Sequence, residues 1–531
     1  VKVQYGFLMG FFRLALFALF FFCESCSNSS RPVLPGQLRL AIAEDPSSLD
    51  PRKGGDVLSA HMQLMLFEGL VKLHPDGSIT PAQCYSYEIS KDGTVYTFHL
   101  GKTKWSDGSP VLASHFEKAW KDMLYPDFPS SNAHLLYPIK GAYDAKKGRI
   151  PVEKTRIYCK NSNTFVVELE APTPHFLQLI SFCVFSPVHP EIEKKGTSFI
   201  SNGPFMLSKW LHDNEIVLEK NPYYFGEKEV GMDSIRLSII KDEMTALQLY
   251  EKGEIDLIGS PFFTPPSEAP GRLPSEEVLT TPIAATTYIT FNTESSLFSN
   301  KHLRQAFSLS VNRELLAEYG FDSKEKAASS AIPPCLVGEN KKTFSLENTE
   351  EAKRLLTLAL EELGIEKKEL ESRLLYLYPA SRGEKKLAQI IQQQWLENLG
   401  IGVKIKSTER KLLLDALGKR SYFFAQITCR AQYCDPISIL ERFQTKENVK
   451  NYPSWEHPGY RDLLLIAGLE SGAKRISTLE KAESLLIEEM PLSPIVHLNL
   501  HYLKKPHLKN VELSPAGGIF FERLCFETSL P

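Results

Sequence analysis

The chain of 531 residues is too long for one ordinary hydrophobic core, so two or three domains are expected. Hydrophobic residues make up 43% and charged residues 24%, and 61 basic against 64 acidic side chains leave a net charge of −3, which excludes a polyelectrolyte binder. No concentrated basic block points to nucleic acid, and no internal apolar run approaches the ~20 residues that span a bilayer.

At the N-terminus, Lys2 and Arg13 precede a very apolar run at 14–22, then Cys23-Glu-Ser-Cys26 and a Ser/Asn tether reaching Ser30. A positive flank, a short apolar core and small residues describe a secretory signal over 1–26 rather than a membrane helix. The cysteine placed after that core resembles a lipoprotein processing site. Cys26, preceded by small Ser25, is the expected lipid acceptor, and Cys23, which follows bulky Phe22, is the alternative. A plain cleaved signal is the competing reading. Of nine cysteines these two belong to the leader, and the others are odd in number and loosely spaced, so no disulfide framework is implied. Cys429 and Cys434 are close enough in sequence to pair, but no second close pair accompanies them as a metal site would require.

Residues 38–43 predict a first buried strand, followed by Glu44-Asp-Pro-Ser-Ser-Leu-Asp-Pro51 and the paired glycines of Gly54-Gly55-Asp56-Val57. Leu66-Phe-Glu-Gly-Leu70 comes next. Residues 85–100 alternate around Asp92-Gly93 and predict a hairpin. After Lys104-Trp-Ser-Asp-Gly-Ser-Pro110, Ser114-His-Phe-Glu117 has the spacing of a capping box that opens a helix through Trp120 and Met123. A second hairpin is expected over 156–169, turning at Asn161-Ser-Asn163. Residues 201–225 read as turn, strand, turn, strand, turn: Gly203-Pro204 leads in, Phe205, Leu207 and 216–218 supply two apolar runs, and Asp213-Asn214 turns between them.

Beyond residue 225 the pattern changes to helix–strand alternation. A helix over 244–252 stops at Gly253 and hands on to a strand at 255–258. The stretch 261–276 is rich in Pro and Ser and reads as a surface loop. Tyr288-Ile-Thr-Phe-Asn292 and the helical stretch Asn300-Lys-His-Leu-Arg-Gln-Ala-Phe-Ser-Leu-Ser-Val-Asn-Arg-Glu314 follow. Asn348-Thr-Glu-Glu351 caps a helix stopped by Gly364. The stripe Leu387, Ile390, Ile391, Trp395, Leu399 predicts another, stopped by Gly400 and followed by a strand at 403–405.

Taken in this order, from about residue 38 to the C-terminus, these motifs resemble those of the family-5 extracytoplasmic solute-binding proteins, the peptide-binding components of ABC importers. The 201–225 stretch and Asn300–Glu314 carry most of the resemblance. It implies an α/β, type II periplasmic-binding-protein-like fold of two lobes with a hinge and a mixed α+β insertion. Lobe I is expected to combine 27–67, 201–292 and 496–531. The insertion takes 68–200, and lobe II takes 293–495. It further implies an extracytoplasmic protein, expected to be monomeric and lipid-anchored, that delivers oligopeptides to a permease and its ATPase subunits. No cofactor, metal, nucleic acid or catalytic residue is implied.

The resemblance also implies a binding cleft. Gly55, Asp56 and Val57 are expected to offer backbone groups to an extended ligand. Thr428, Cys429, Arg430 and Gln432 lie in the segment Thr428-Cys-Arg-Ala-Gln-Tyr-Cys-Asp-Pro436, whose relatives run antiparallel to a bound peptide. Where those relatives place an Asp for the peptide's ammonium, this chain carries Gln432, which brings no charge. Asp435 matches the separate acid that helps hold the loop. The expectation is a peptide-like ligand read differently at its N-terminus, such as a modified or cell-wall-derived one. Glu384, Arg410, Gln426 and Tyr288 also carry over as cleft positions, with surface charge or interdomain packing as the bland alternatives.

Competing readings are the same fold with a nickel chelate, haem or glutathione, a secreted hydrolase, and a surface adhesin. No Gly-x-Ser-x-Gly elbow, phosphate-cradling loop or His-Glu-x-x-His pair supports an enzyme. The histidines are scattered singly, and the apolar stripes are core faces that need no cofactor.

Overall fold

The computed structural model describes residues 36–192, 199–259, 262–263, 265–266, 269–320, 325–337 and 347–527. The leader with Cys23 and Cys26 lies outside them, as do parts of the 261–276 stretch.

One mixed sheet runs through the molecule. The strand β1 (Gln37–Ile42) is largely buried on both faces, and its one charged side chain, Arg39, is answered by Asp256. It pairs in parallel with Ser234–Ile239, in register from Gln37 opposite Ser234 to Ile42 opposite Ile239. The predicted hairpin follows as strands Phe205–Leu211 and Glu215–Lys220 at that edge, with Asp213 at φ 57° in the turn. After β1 the chain enters helix α1 (Val57–Leu66), capped by Asp56.

Two long strands join the halves of the sheet. These are β2 (Val278–Phe291) and, near the C-terminus, a strand of thirteen residues, Leu492–Lys504. They run antiparallel, Val278 opposite Leu503 and Thr290 opposite Leu492, with register shifts between Pro282 and Thr286 and again between Thr287 and Tyr288. Proline has no N–H to give the ladder, so a break in pairing beside Pro282 is expected. Helix α2 (Arg410–Gly418) precedes strand β3 (Phe424–Arg430), which lies on the other side of β2. Beyond β3 come the parallel strands Leu375–Pro379 and Lys404–Thr408.

Local chemistry sets the ends of the helices between these strands. Asp242, Asn300, Asn312, Asn348 and Ser381 each accept a backbone N–H three residues on, and Gly253, Gly364 and Gly400 take positive φ just past the stops. The stretch 300–314 spans two helices, Lys301–Leu309 and the start of Arg313–Tyr319. Its arginines are structural. Arg304 donates to the carbonyls of Phe298, Ser299, Glu489 and Met490. Arg313, fully buried, donates to those of Ser308, Val311 and Pro494.

Residues 84–168 contain a separate four-stranded antiparallel sheet ordered Cys84–Ile89, Val95–Leu100, Thr164–Glu168, Ile157–Asn161, so both predicted hairpins form. Helix Ala113–Leu124 packs on it, but Ser114 is not its cap. The ring of His115 turns back to accept the N–H of Leu112, while Glu117 binds Lys121 and the N–H of Cys159. The expected capping box is therefore displaced by a histidine. Residues 201–225 are tied to the end of α1 because Asn202 exchanges two hydrogen bonds with the backbone of Glu68, at 3.2 and 2.9 Å. In the 261–276 stretch Phe262, Phe263 and Ala269 are buried, so this part is packed rather than a plain surface loop.

Candidate functional site

The N-terminus of α1, the free end of β3 and the segment near residues 514–520 enclose a cavity of ≈ 410 Å³. Asp56 opens α1 by accepting from Ser59 N and Ser59 Oγ, both at 2.7 Å, and from Ser47. Burial alone would raise its pKa, but these bonds prevail and hold it below the usual value. A Cβ on Gly54 would lie 2.3 Å from Gln63 Nε2, and one on Gly55 2.8 Å from Ser131 Oγ. The paired glycines thus permit close approach by neighbouring side chains of the protein itself.

β3 supplies the opposite wall. Leu375–Pro379 pairs only with its first residues, Tyr376 opposite Phe424 and Leu377 opposite Ala425, whereas β2 follows it from Phe424 to Arg430. Past Ala425, among the described residues, no strand pairs with the outer edge of β3, and Ile427 to Ala431 line the cavity.

A chain of hydrogen bonds crosses from one wall to the other. Asn132 Nδ2 donates to Gly54 O at 2.8 Å, Gln432 Nε2 donates to Asn132 Oδ1 at 3.2 Å, and Lys450 Nζ donates to Gln432 Oε1 at 3.0 Å. Arg442 donates to Ser438 O and Arg430 O. Arg430 Nη1 is buried without a hydrogen-bond partner. Burial, together with neighbouring Arg442, pushes Lys450 down to about 7. Burial and neighbouring Arg410 push Arg430 down to about 10. At the far end Lys72 pairs with Glu522 at 2.8 Å and Glu68 at 3.4 Å, and Tyr224 donates to Glu68.

Of the residues expected at a cleft, Gly55, Asp56, Val57, Arg410, Thr428, Cys429, Arg430 and Gln432 line this cavity. Glu384, Gln426 and Tyr288 do not. Gln426, one residue past the last position paired with the neighbouring strand, is fully buried against the side chain of Tyr376. It donates to Glu384 and accepts from Tyr376 Oη at 3.2 Å. Burial pushes the Glu384 carboxyl up. The Tyr288 hydroxyl donates to Ala331 O. Asp435 forms a buried two-pronged ion pair with Arg475, 2.8 Å on each arm, which holds the loop after β3. The described cysteines are all unbonded, including Cys429 and Cys434. Asn132, Arg442, Lys450 and the residues near 514–520 carried no local signal. They sit on segments without periodicity and meet the site only through the fold.

Residues 78–451 match the family described as bacterial extracellular solute-binding proteins, family 5. The oligopeptide-binding protein OppA of Bacillus subtilis (strain 168) is 32% identical over 536 residues, covering 98% of each chain. The dipeptide-binding protein DppE of the same organism is 31% identical over 493 residues, covering 90% of this chain and 89% of that one. Among solved structures, a periplasmic oligopeptide-binding protein (OppAIV) of Borrelia burgdorferi superposes with a TM-score of 0.80 at 26% identity, over 92% of this chain and all of that one.

Proposed function

The chain belongs to the bacterial extracellular solute-binding proteins of family 5, and from that footing we propose that it captures oligopeptides and hands them to the permease of an ABC importer. The observation that carries this reading is the outer edge of β3, unpaired with any strand past Ala425, facing a half-open cavity. An extended peptide has the N–H and C=O groups such an edge lacks. Main-chain pairing would supply affinity independent of side chains, and the cavity volume lies in the roughly 300–1,000 Å³ range of ligand sites.

In this reading the halves of the sheet are two lobes, 27–67 with 201–292 and 496–531 against 293–495, and 68–200 is the insertion. β2 and Leu492–Lys504 are the crossings about which the lobes open. The Pro282 break supports a hinge there. Thr428, Arg430, Gln432 and the Gly55–Val57 turn would contact ligand. Binding without turnover is the work, and the protein acts as a monomer outside the cytoplasm. Lipidation at Cys26, or Cys23, would hold it near the permease, with further contacts needed because one acyl chain anchors marginally. Incubating purified protein with a peptide pool tests this: intact peptides should co-purify at one per chain, and cleaved peptides or none would overturn it.

A further inference from the structure

Acidic residues are outnumbered at the cavity wall. Asp56, Glu68 and Glu522 face Lys72, Arg410, Arg430, Arg442 and Lys450. Lys72 is taken by Glu68 and Glu522, and Asp56 is occupied by Ser47 and Ser59. No carboxylate of the described residues lies within ion-pair distance of Arg410, Arg430, Arg442 or Lys450. Glu441, near Arg442 and Lys450, is itself pushed up to about 7 by burial. The cations also act on one another, Arg410 on Arg430 and Arg442 on Lys450, while Glu441 lies near Arg442 and Lys450 and Glu384 near Arg410, each beyond ion-pair distance. An ion drawn out of water without a close partner costs several kcal/mol, so this wall favours an incoming anion.

The partners these cations do have are neutral. Lys450 meets the carbonyl of Gln432, and Arg442 meets two backbone carbonyls. Arg430 Nη1 has none. A guanidinium with a free N–H and an ammonium elsewhere on the same wall are each suited to a carboxylate. A peptide with free termini and uncharged side chains brings as much positive as negative charge and leaves the excess as it was. We infer that the cavity selects net-anionic peptides, acidic side chains of the ligand serving as counter-ions to Arg430 and to Lys450. This deepens the peptide-capture reading and rests on it.

The test is competition for the full-length protein between two pools of tri- to pentapeptides, identical except that Glu in one is Gln in the other. Each pool is offered with free and with amidated C-termini, and bound species are read by native mass spectrometry. The expected result is retention of Glu peptides over their Gln counterparts by about tenfold, surviving amidation and falling below about threefold in Arg430→Gln and in Lys450→Gln. Equal retention of the two pools, a preference unchanged in both variants, or dependence on the terminal carboxylate alone would overturn the inference and leave peptide capture standing. Retention of neither pool would overturn both.

Discussion

Lys450 Nζ lies 3.0 Å from the side-chain carbonyl of Gln432, and that contact is the last link of the hydrogen-bonded chain from Gly54 through Asn132. The two residues come from neighbouring loops beyond β3, while Asn132 and Gly54 belong to the opposite wall. The links therefore hold the walls together, and a ligand must enter before they form or displace them.

Asn132 is the middle of that bridge and is buried. Asn132→Ala leaves Gly54 O and Gln432 Nε2 without their partners, a loss of about 1–2 kcal/mol in an enclosed site. Peptide affinity should fall by roughly 5–30-fold, and thermal stability should fall with it because the links form without ligand. Isothermal titration of the variant against wild type checks it, and an unchanged affinity would show that the bridge contributes nothing to the bound form.

Asp435 and Arg475 are each buried and answer one another through two hydrogen bonds. Arg475→Met strands the carboxylate, at a cost of about 3–5 kcal/mol. The double variant Asp435→Asn, Arg475→Met should recover part of that loss because no lone charge is left. Chemical denaturation of the two variants measures both, and a double variant less stable than the single would contradict the pairing argument.

Gly203 sits against backbone, since a Cβ there would lie 2.6 Å from Leu66 C and Phe67 N. Its N–H donates to Leu66 O at 2.8 Å, so this segment and the end of α1 cannot simply move apart. Gly203→Ala should destabilise by about 1–3 kcal/mol, the usual range for overpacking a tight interior. Thermal denaturation reads it directly.

Five histidines, three buried and His134 and His175 half-buried, give an acid dependence. Burial pushes His61, His115, His175 and His497 down to about 4, and His134 to about 3. Their charged neighbours are Arg430 for His61, Asp435 and Arg475 for His175, Lys450 and Arg442 for His134, Lys326 for His497, and His189 for His115. These rings are protonated more readily when unfolded, so between the two pKa values the unfolded chain binds more protons. Stability therefore rises with pH through that window and is lost as pH falls below about 6.5. Melting temperature should drop between about pH 7 and pH 5. A flat profile would mean the rings are not buried neutral.

The parts of the fold that were legible in sequence are those fixed by short-range chemistry. Asp92-Gly93 and Asp213-Asn214 place hairpin turns, and Asn348 with Gly364 brackets a helix, because each decides its own backbone locally. Ser114 misled because a nearby histidine competes for the same N–H. At the site, Thr428 and Arg430 were readable from the β3 segment, whereas Gln426, on the same strand just past its paired positions, is buried against Tyr376 and turned to Glu384. Side-chain packing, not residue type, makes that distinction. Lys450 and Asn132 are distant single polar residues, and nothing in their surroundings announces where the fold brings them.

The central claim is that the unpaired edge of β3 receives a peptide inside a closing cavity. Hydrogen–deuterium exchange of the amides at Thr428 and Arg430, which alternate away from β2, with and without a saturating peptide pool, tests it most directly. The account predicts slowed exchange there on peptide addition, together with protection around Gly55–Val57. Protection elsewhere with these amides unchanged would contradict it.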